Sequence, residues 1–222
     1  SNAFIILQDA NLEKAVTTAV NARMQNAGQS CIAAKRFLVH ENVADEFVAK
    51  FKVAIQNLKT GNPLDKETQI GSLARVDLAE ELEVQVKKSI QMGAKLIVGG
   101  NRKDAFYDPT ILTNVTTEMP VFKEETFGPV AAIIIFKTIE EAIELSNQSE
   151  FGLGVSIFTQ DIDFIKTKIS SFNEGAVFIN EMVKSDPRLP FGGIKKSGYG
   201  RELAEDGIKE FVNVKTVVIN NI

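Results

Sequence analysis

The chain carries one cysteine, Cys31, in "NAGQSCIAAKR" (residues 26–36), and one histidine, His40. A thiolate is a strong nucleophile that needs backbone N–H groups or nearby cations to stabilise it. Lys35 and Arg36 follow within five residues, so cations are close in sequence. A lone cysteine is also an ordinary buried filler, because the free thiol packs as a small apolar group. Position favours the nucleophile: Cys31 follows a flexible Asn-Ala-Gly, between a helix pattern and a strand pattern. Reactive groups sit on such loops, held by rigid elements. A cysteine–histidine pair has little to draw on, since His40 falls at a strand end, where a satisfied or exposed imidazole is the usual case.

Two other stretches carry chemistry. In "FKEETFGPV" (122–130), Glu124 and Glu125 are adjacent and face opposite ways in extended chain. They read either as a solvated acidic turn or as a diol grip, in which two carboxylate oxygens match two hydroxyl donors of a ribose. Phe127 nearby offers a ring to a planar group. "LPFGGIKKSGYGRE" (189–202) looks like a phosphate loop, but the spacing fails. Tyr199 follows Gly198 where a Walker loop needs Lys and then Ser or Thr, and Leu203 occupies the third glycine position of GxGxxG. These glycines more plausibly let a backbone turn pass close to something bulky.

Strand and helix patterns alternate around these stretches. "FIIL" reads as a strand, followed by a helix over "NLEKAVTTAVNARM" with Asp9 as its cap. "RFLVH" (36–40) is a strand and 43–58 a helix with Phe47, Phe51 and Ile55 inward. Residues 75–93 form a helix ending on Gly93. "KLIVGG" is a strand, "YDPTILTNV" is extended, and "PVAAIIIF" (129–136) is a central strand, because a continuous apolar run implies burial on both faces. "TIEEAIELSNQ" is a helix, "LGVSIFT" a strand, "DIDFIKTKISSF" a helix capped by Asp161, and "GAVFIN" a strand. A glycine-rich loop (180–200) leads to a short helix from Arg201. "EFVNVKTVVIN" ends the chain as a strand whose β-branched edge needs a partner. The fold class is therefore α/β, a mainly parallel sheet with helices on both faces.

The totals agree with one large domain: 222 residues, 44 % hydrophobic, 24 % charged. A net charge of −4 offers no basic face for nucleic acid. No apolar run reaches the ~18–20 residues that span a bilayer, so no membrane partner is expected. A single cysteine allows no internal disulfide, which fits a reducing cytoplasm. No signal-peptide pattern opens the chain. "SNA" fits an expression scar or native sequence equally, and the abrupt "FIILQDA" reads as the middle of a longer protein.

Taken in order, "GQSCIAAKR", "EETFGPV" and "PFGGIKKSGYGRE" resemble the motifs of the NAD(P)-dependent aldehyde dehydrogenases, and the resemblance extends over essentially all 222 residues. It implies that Cys31 attacks an aldehyde carbonyl to give a thiohemiacetal. Hydride leaves to the nicotinamide of NAD or NADP, and water hydrolyses the resulting thioester with no histidine. It implies that Glu125 hydrogen-bonds the nicotinamide ribose, that Phe127 contacts the nicotinamide side, and that the 182–190 loop lines the aldehyde tunnel. The general-base glutamate, the oxyanion asparagine and the main coenzyme domain are expected upstream. Residues 1–211 would be the catalytic domain, inactive alone, and 212–222 a strand pairing across a homo-oligomer interface. Within the family the chain is most similar to the succinate-semialdehyde dehydrogenases. Ser185 falls where that branch places a serine near the substrate carboxylate, and Arg188 adds a cation in the same loop. Gln25 stands where many members of that branch carry an arginine, with Arg23 two positions away. A dehydrogenase for another small aldehyde, an acylating member that passes the thioester to coenzyme A, and a non-catalytic module with an inert Cys31 are the alternatives.

Overall fold

The computed structural model describes residues 2–220. Its strands, in chain order, are β1 (Asn2–Ile6), β2 (Ala34–His40), β3 (Lys95–Val98), β4 (Arg102–Lys103), β5 (Phe106–Tyr107), β6 (Thr110–Thr113), β7 (Val130–Phe136), β8 (Phe151–Gly152), β9 (Val155–Phe158), β10 (Val177–Ile179) and β11 (Ile194–Lys195). The helices are α1 (Leu12–Met24), α2 (Glu41–Gln56), α3 (Val76–Gln91), α4 (Pro120–Lys123), α5 (Ile139–Asn147), α6 (Ile162–Lys166) and α7 (Ala204–Lys209). Seven strands make the main sheet in the order β10-β9-β1-β2-β7-β6-β3. Every pairing in it is parallel except β3 with β6 at the edge.

The core lies on both faces of this sheet. Arg36 and Phe37 are neighbours on β2 and point to opposite faces. Phe37 packs on Phe51 of α2 at 5.3 Å, whereas Arg36 reaches the carbonyls of Leu145 and Ser146 on α5. Phe4 links the strands, at 4.6 Å from Phe158 and 5.3 Å from Phe37. Each such fully buried phenylalanine is worth about 1.5–3 kcal/mol. On β7 the apolar run is buried as expected except at Ile135, which is 48 % exposed near the carboxyl end of the strand.

Two sequence expectations need correction, and a third, the terminal strand, is not seen in the single chain. Asn11, not Asp9, caps α1 by accepting from the Lys14 N–H. Asp9 instead accepts from the Thr159 hydroxyl and the N–H groups of Gln160 and Asp161. Those bonds staple the carboxyl end of β1 to that of β9. Next, α7 begins at Ala204 rather than Arg201, because its N-cap Leu203 takes a φ of 63°, outside helical backbone. Finally, 213–220 forms no ladder, and every residue from Phe211 to Asn220 is exposed. A strand exists only with a partner, and among the described residues this segment has none.

Candidate active site

The loops holding the sequence-selected residues gather at one edge of the sheet. Cys31 precedes β2, the 124–128 segment precedes β7, and Leu153 precedes β9. In parallel strands these are the amino ends, opposite the carboxyl-end crevice where open α/β sheets usually bind ligands. Here that crevice lies between β1 and β9, where the Asp9 staple crosses it. His40 ends β2 and Cys31 precedes its start, so a strand of roughly 20 Å separates them at about 3.3 Å per residue. His40 Nδ1 caps α2 by accepting from the Asn42 N–H. A cysteine–histidine pair is excluded by this geometry.

The Cys31 loop is held under local strain. After α1, Asn26, Ala27 and Gly28 are all left-handed, with φ of 50°, 52° and 76°. Ala27 in that region costs about 1–2 kcal/mol. Asn26 and Gln29 lock the turn: Asn26 Nδ2 donates to the Gln29 carbonyl at 2.9 Å, and the Gln29 N–H donates to the Asn26 carbonyl at 3.0 Å. Gln29 Oε1 accepts from the Ala74 N–H at 2.8 Å. Asn2 Nδ2 donates to the Ile32 carbonyl, and its Oδ1 accepts from the Gly154 N–H, fixing the far side. The product is an exposed thiol on a tethered loop.

Lys35 and Arg36 do not face the sulfur. The β1–β2 register shifts between Asn2–Ala34 and Ala3–Arg36, leaving Lys35 as the extra residue of a bulge that re-aims it. Lys35 Nζ donates to the Phe122 and Glu124 carbonyls. Arg36 lies over the Phe122 ring at 5.2 Å. Both are almost wholly buried, as is Arg23, whose Nη2 donates to the Gly28 carbonyl at 2.6 Å and the Thr126 carbonyl at 3.5 Å. Burial lowers the Arg23 and Arg36 guanidinium values to about 10 and holds the Lys35 ammonium well below its usual range. Nearby Arg36 and Arg23 lower Lys35 further. These cations hold loops together and do not touch the thiol.

The two adjacent glutamates have different fates. Glu124 gives its carboxylate to Gln85 Nε2 at 2.9 Å. The Glu125 carboxylate accepts no hydrogen bond among the described residues, although its backbone carbonyl accepts from Gln85 Nε2 at 3.3 Å, and the residue lines a cavity of about 480 Å³ together with Cys31. An unpaired carboxylate with two open oxygens, lining the same cavity as the thiol, has the chemistry to accept from a vicinal diol. Phe127 is 41 % exposed on the same loop but does not line this cavity.

The glycine-rich stretch builds the opposite wall, through Phe191–Gly193 and Lys196–Glu202. Its glycines serve backbone-to-backbone approach. A Cβ on Gly175 would sit 2.0 Å from the Gly192 oxygen, and one on Gly192 would sit 2.7 Å from the Gly200 oxygen. β11 pairs with β8, and Arg201 Nη1 ties the Gly193 and Gly200 carbonyls. Ser185 and Arg188 do not line this cavity. Both are exposed, and Arg188 makes a two-pronged bond to the Asp186 carboxylate at 2.9 and 2.6 Å. That pairing holds Asp186 well below the usual carboxylate range.

Residues not singled out as site-builders in the sequence are Asn2, Gln85 and the loop-tying role of Arg23. For Arg23 a signal existed. It follows Ala15 and Ala19 in steps of four, so it is a charged residue on the buried stripe of α1.

The Aldehyde dehydrogenase family model matches residues 1–217. The chain is 50 % identical over 220 residues to the succinate semialdehyde dehydrogenase [NAD(P)+] Sad of Escherichia coli (strain K12), covering 98 % of this chain and 48 % of that protein. It superposes on the crystal structure of succinate-semialdehyde dehydrogenase from Burkholderia pseudomallei with a TM-score of 0.92 at 36 % identity, over 95 % of this chain and 44 % of that one. On lactaldehyde dehydrogenase from Escherichia coli the TM-score is 0.94 at 34 % identity, over 97 % and 46 %. The chain thus spans about half the length of the curated relatives it matches.

Proposed function

The chain belongs to the aldehyde dehydrogenase family, and from that premise we propose that it supplies the catalytic half of an NAD(P)-dependent enzyme oxidising succinate semialdehyde to the acid. The observation that carries this reading is the meeting of Cys31 and the unpaired Glu125 in one cavity. The substrate rests on the names of relatives at 50 % identity, since the fold is shared with a lactaldehyde enzyme.

In this reading the Cys31 sulfur adds to the aldehyde carbon, giving a thiohemiacetal. A nicotinamide dinucleotide, when bound, would supply the hydride acceptor; Glu125 would hold its ribose and Phe127 would offer its exposed ring to the nicotinamide side. Loss of hydride from the carbon, with the hydroxyl proton passing to water, would leave a thioester on Cys31. Water cleaves the acyl–sulfur bond, releasing the acid and restoring the thiol. Ser185 and Arg188 lie outside the cavity in the present arrangement, and they would receive the distal carboxylate only if the 182–190 loop turns toward Cys31 and Arg188 exchanges Asp186 for substrate. The water-activating glutamate and the oxyanion asparagine belong to the half of the relatives' length that this chain does not span. The chain alone is therefore expected to be inactive.

Residues 1–211 form the catalytic unit and 212–222 the oligomerisation strand. Val214, Val217, Val218 and Ile219 are 94 %, 69 %, 79 % and 80 % exposed, an apolar row with open backbone that a second copy can pair. A lone thiol and a nicotinamide cofactor suit a cytoplasmic setting. The test is Cys31→Ser in the full-length protein, with succinate semialdehyde and NADP or NAD, followed as reduced cofactor. Turnover should vanish while the thermal midpoint holds, because Cys31 is exposed and contributes little packing. Turnover within about tenfold of wild type would overturn the assignment.

A further inference from the structure

Arg23 is 1 % exposed and carries a charge that no carboxylate pairs by a salt bridge among the described residues. Its Nη2 alone does the bonding, to the Gly28 carbonyl in the nucleophile loop and the Thr126 carbonyl in the Glu125 loop. Its Nε and Nη1 have no partner. Burying such a group is costly, and an apolar side chain of similar volume would avoid that cost. Between its two acceptors the loops are in contact: a Cβ on Gly28 would lie 2.2 Å from the Gly128 oxygen and 2.6 Å from Arg23 Nη2. Glu125 is the one group whose charge favours protonated Arg23.

We propose that Arg23 is a positioning residue that keeps the Cys31 loop in register with the Glu125 loop, and so sets the relation between the nucleophile and the dinucleotide carboxylate. It touches neither thiol nor cofactor and acts through two carbonyls. Lys35 supports it from one side only, because both of its acceptors lie in 122–124. The inference deepens the functional reading above, on which its consequence for dinucleotide binding rests. The loop register itself does not depend on that reading.

The experiment compares Arg23→Met, Arg23→Lys and Lys35→Met in the full-length protein by amide hydrogen exchange. Arg23→Met should speed exchange by about tenfold or more in both 28–32 and 125–128, with β1 and β2 unchanged. Lys35→Met should loosen only the second loop. Arg23→Lys, which keeps the charge and can reach one carbonyl, should fall between. Should Arg23→Met fail to fold, the Lys variant carries the same comparison. Unchanged exchange in either loop, or an equal rise throughout the sheet, overturns the proposal.

A second readout is NADPH affinity in a cycle with Glu125→Gln. If Arg23 acts through the Glu125 loop, Arg23→Met should add less than about twofold to the Glu125→Gln loss. Effects that multiply overturn the link to Glu125. A Glu125→Gln variant that binds NADPH normally defeats the ribose assignment instead, and the exchange data still decide the role of Arg23.

Discussion

The Gly28 α-carbon lies against the Gly128 carbonyl, with room for a hydrogen and nothing larger: a Cβ there would be 2.2 Å from the oxygen. Two motifs a hundred residues apart thus meet backbone to backbone, and φ of 76° at Gly28 adds a second demand for glycine. Gly28→Ala is expected to destabilise by about 2–4 kcal/mol, from left-handed strain plus the clash. Urea unfolding measures it, and a loss under about 0.5 kcal/mol would show that the loops part freely.

Glu125→Gln should weaken dinucleotide binding by roughly ten- to a hundredfold, the effect of losing charge-assisted bonds to two hydroxyls. Glu124→Gln should leave binding within about twofold, because that carboxylate is spent on Gln85. Titrating both variants of the full-length protein with NADPH separates the adjacent residues. Equal losses would mean that the loop, not the Glu125 carboxylate, is what matters.

Much of this arrangement can be read from the residues, and the gaps have physical causes. The β1, β2, β7 and β9 patterns are legible because continuous apolar runs leave a doubly covered strand little alternative. Asp9 misleads as a cap because Asp and Asn suit both caps and turns, and only the position of β9, 150 residues on, gives it other work. The terminal strand is legible as composition but not as structure, since pairing depends on a partner. Lys35 and Arg36 look like thiolate partners in sequence. A one-residue bulge turns Lys35 to carbonyls of the Glu125 loop, and strand alternation sends Arg36 to α5. Residue chemistry alone leaves Glu124 and Glu125 open and the motif resemblance picks Glu125; the physical difference between them, Gln85 on the Glu124 carboxylate, is not legible from local spacing.

Lys35 predicts a pH dependence. Burial, then the charges of Arg36 and Arg23, hold it well below the usual lysine value of 10.5 in the folded state. Between that folded value and 10.5 the unfolded chain binds the proton and the native chain does not, so stability rises with pH across the window. The contribution is complete above 10.5 and is lost as pH falls through the folded value. Urea midpoints measured from neutral to alkaline pH should climb more steeply for wild type than for Lys35→Met. Parallel curves would show that Lys35 stays charged in its pocket.

Arg188 is clamped by Asp186 and must leave it to bind a substrate carboxylate. Asp186→Asn should therefore lower KM for succinate semialdehyde relative to an uncharged aldehyde of similar size, by about threefold or more. Steady-state kinetics with the two aldehydes gives the ratio. A ratio that does not move removes Arg188 from substrate recognition.

The cavity's walls are widely spaced along the chain, with a bearing on how the protein is made. Phe191, which begins the glycine-rich wall, lies 160 residues downstream of Cys31. At about 5–20 residues per second, ribosomal synthesis takes roughly 8–32 s to cover that distance. For most of that interval Cys31 lies outside the ribosome while one wall of its cavity is still untranslated. During synthesis Cys31 is thus open to oxidants and electrophiles from more directions than it is once the glycine-rich wall has folded beside it.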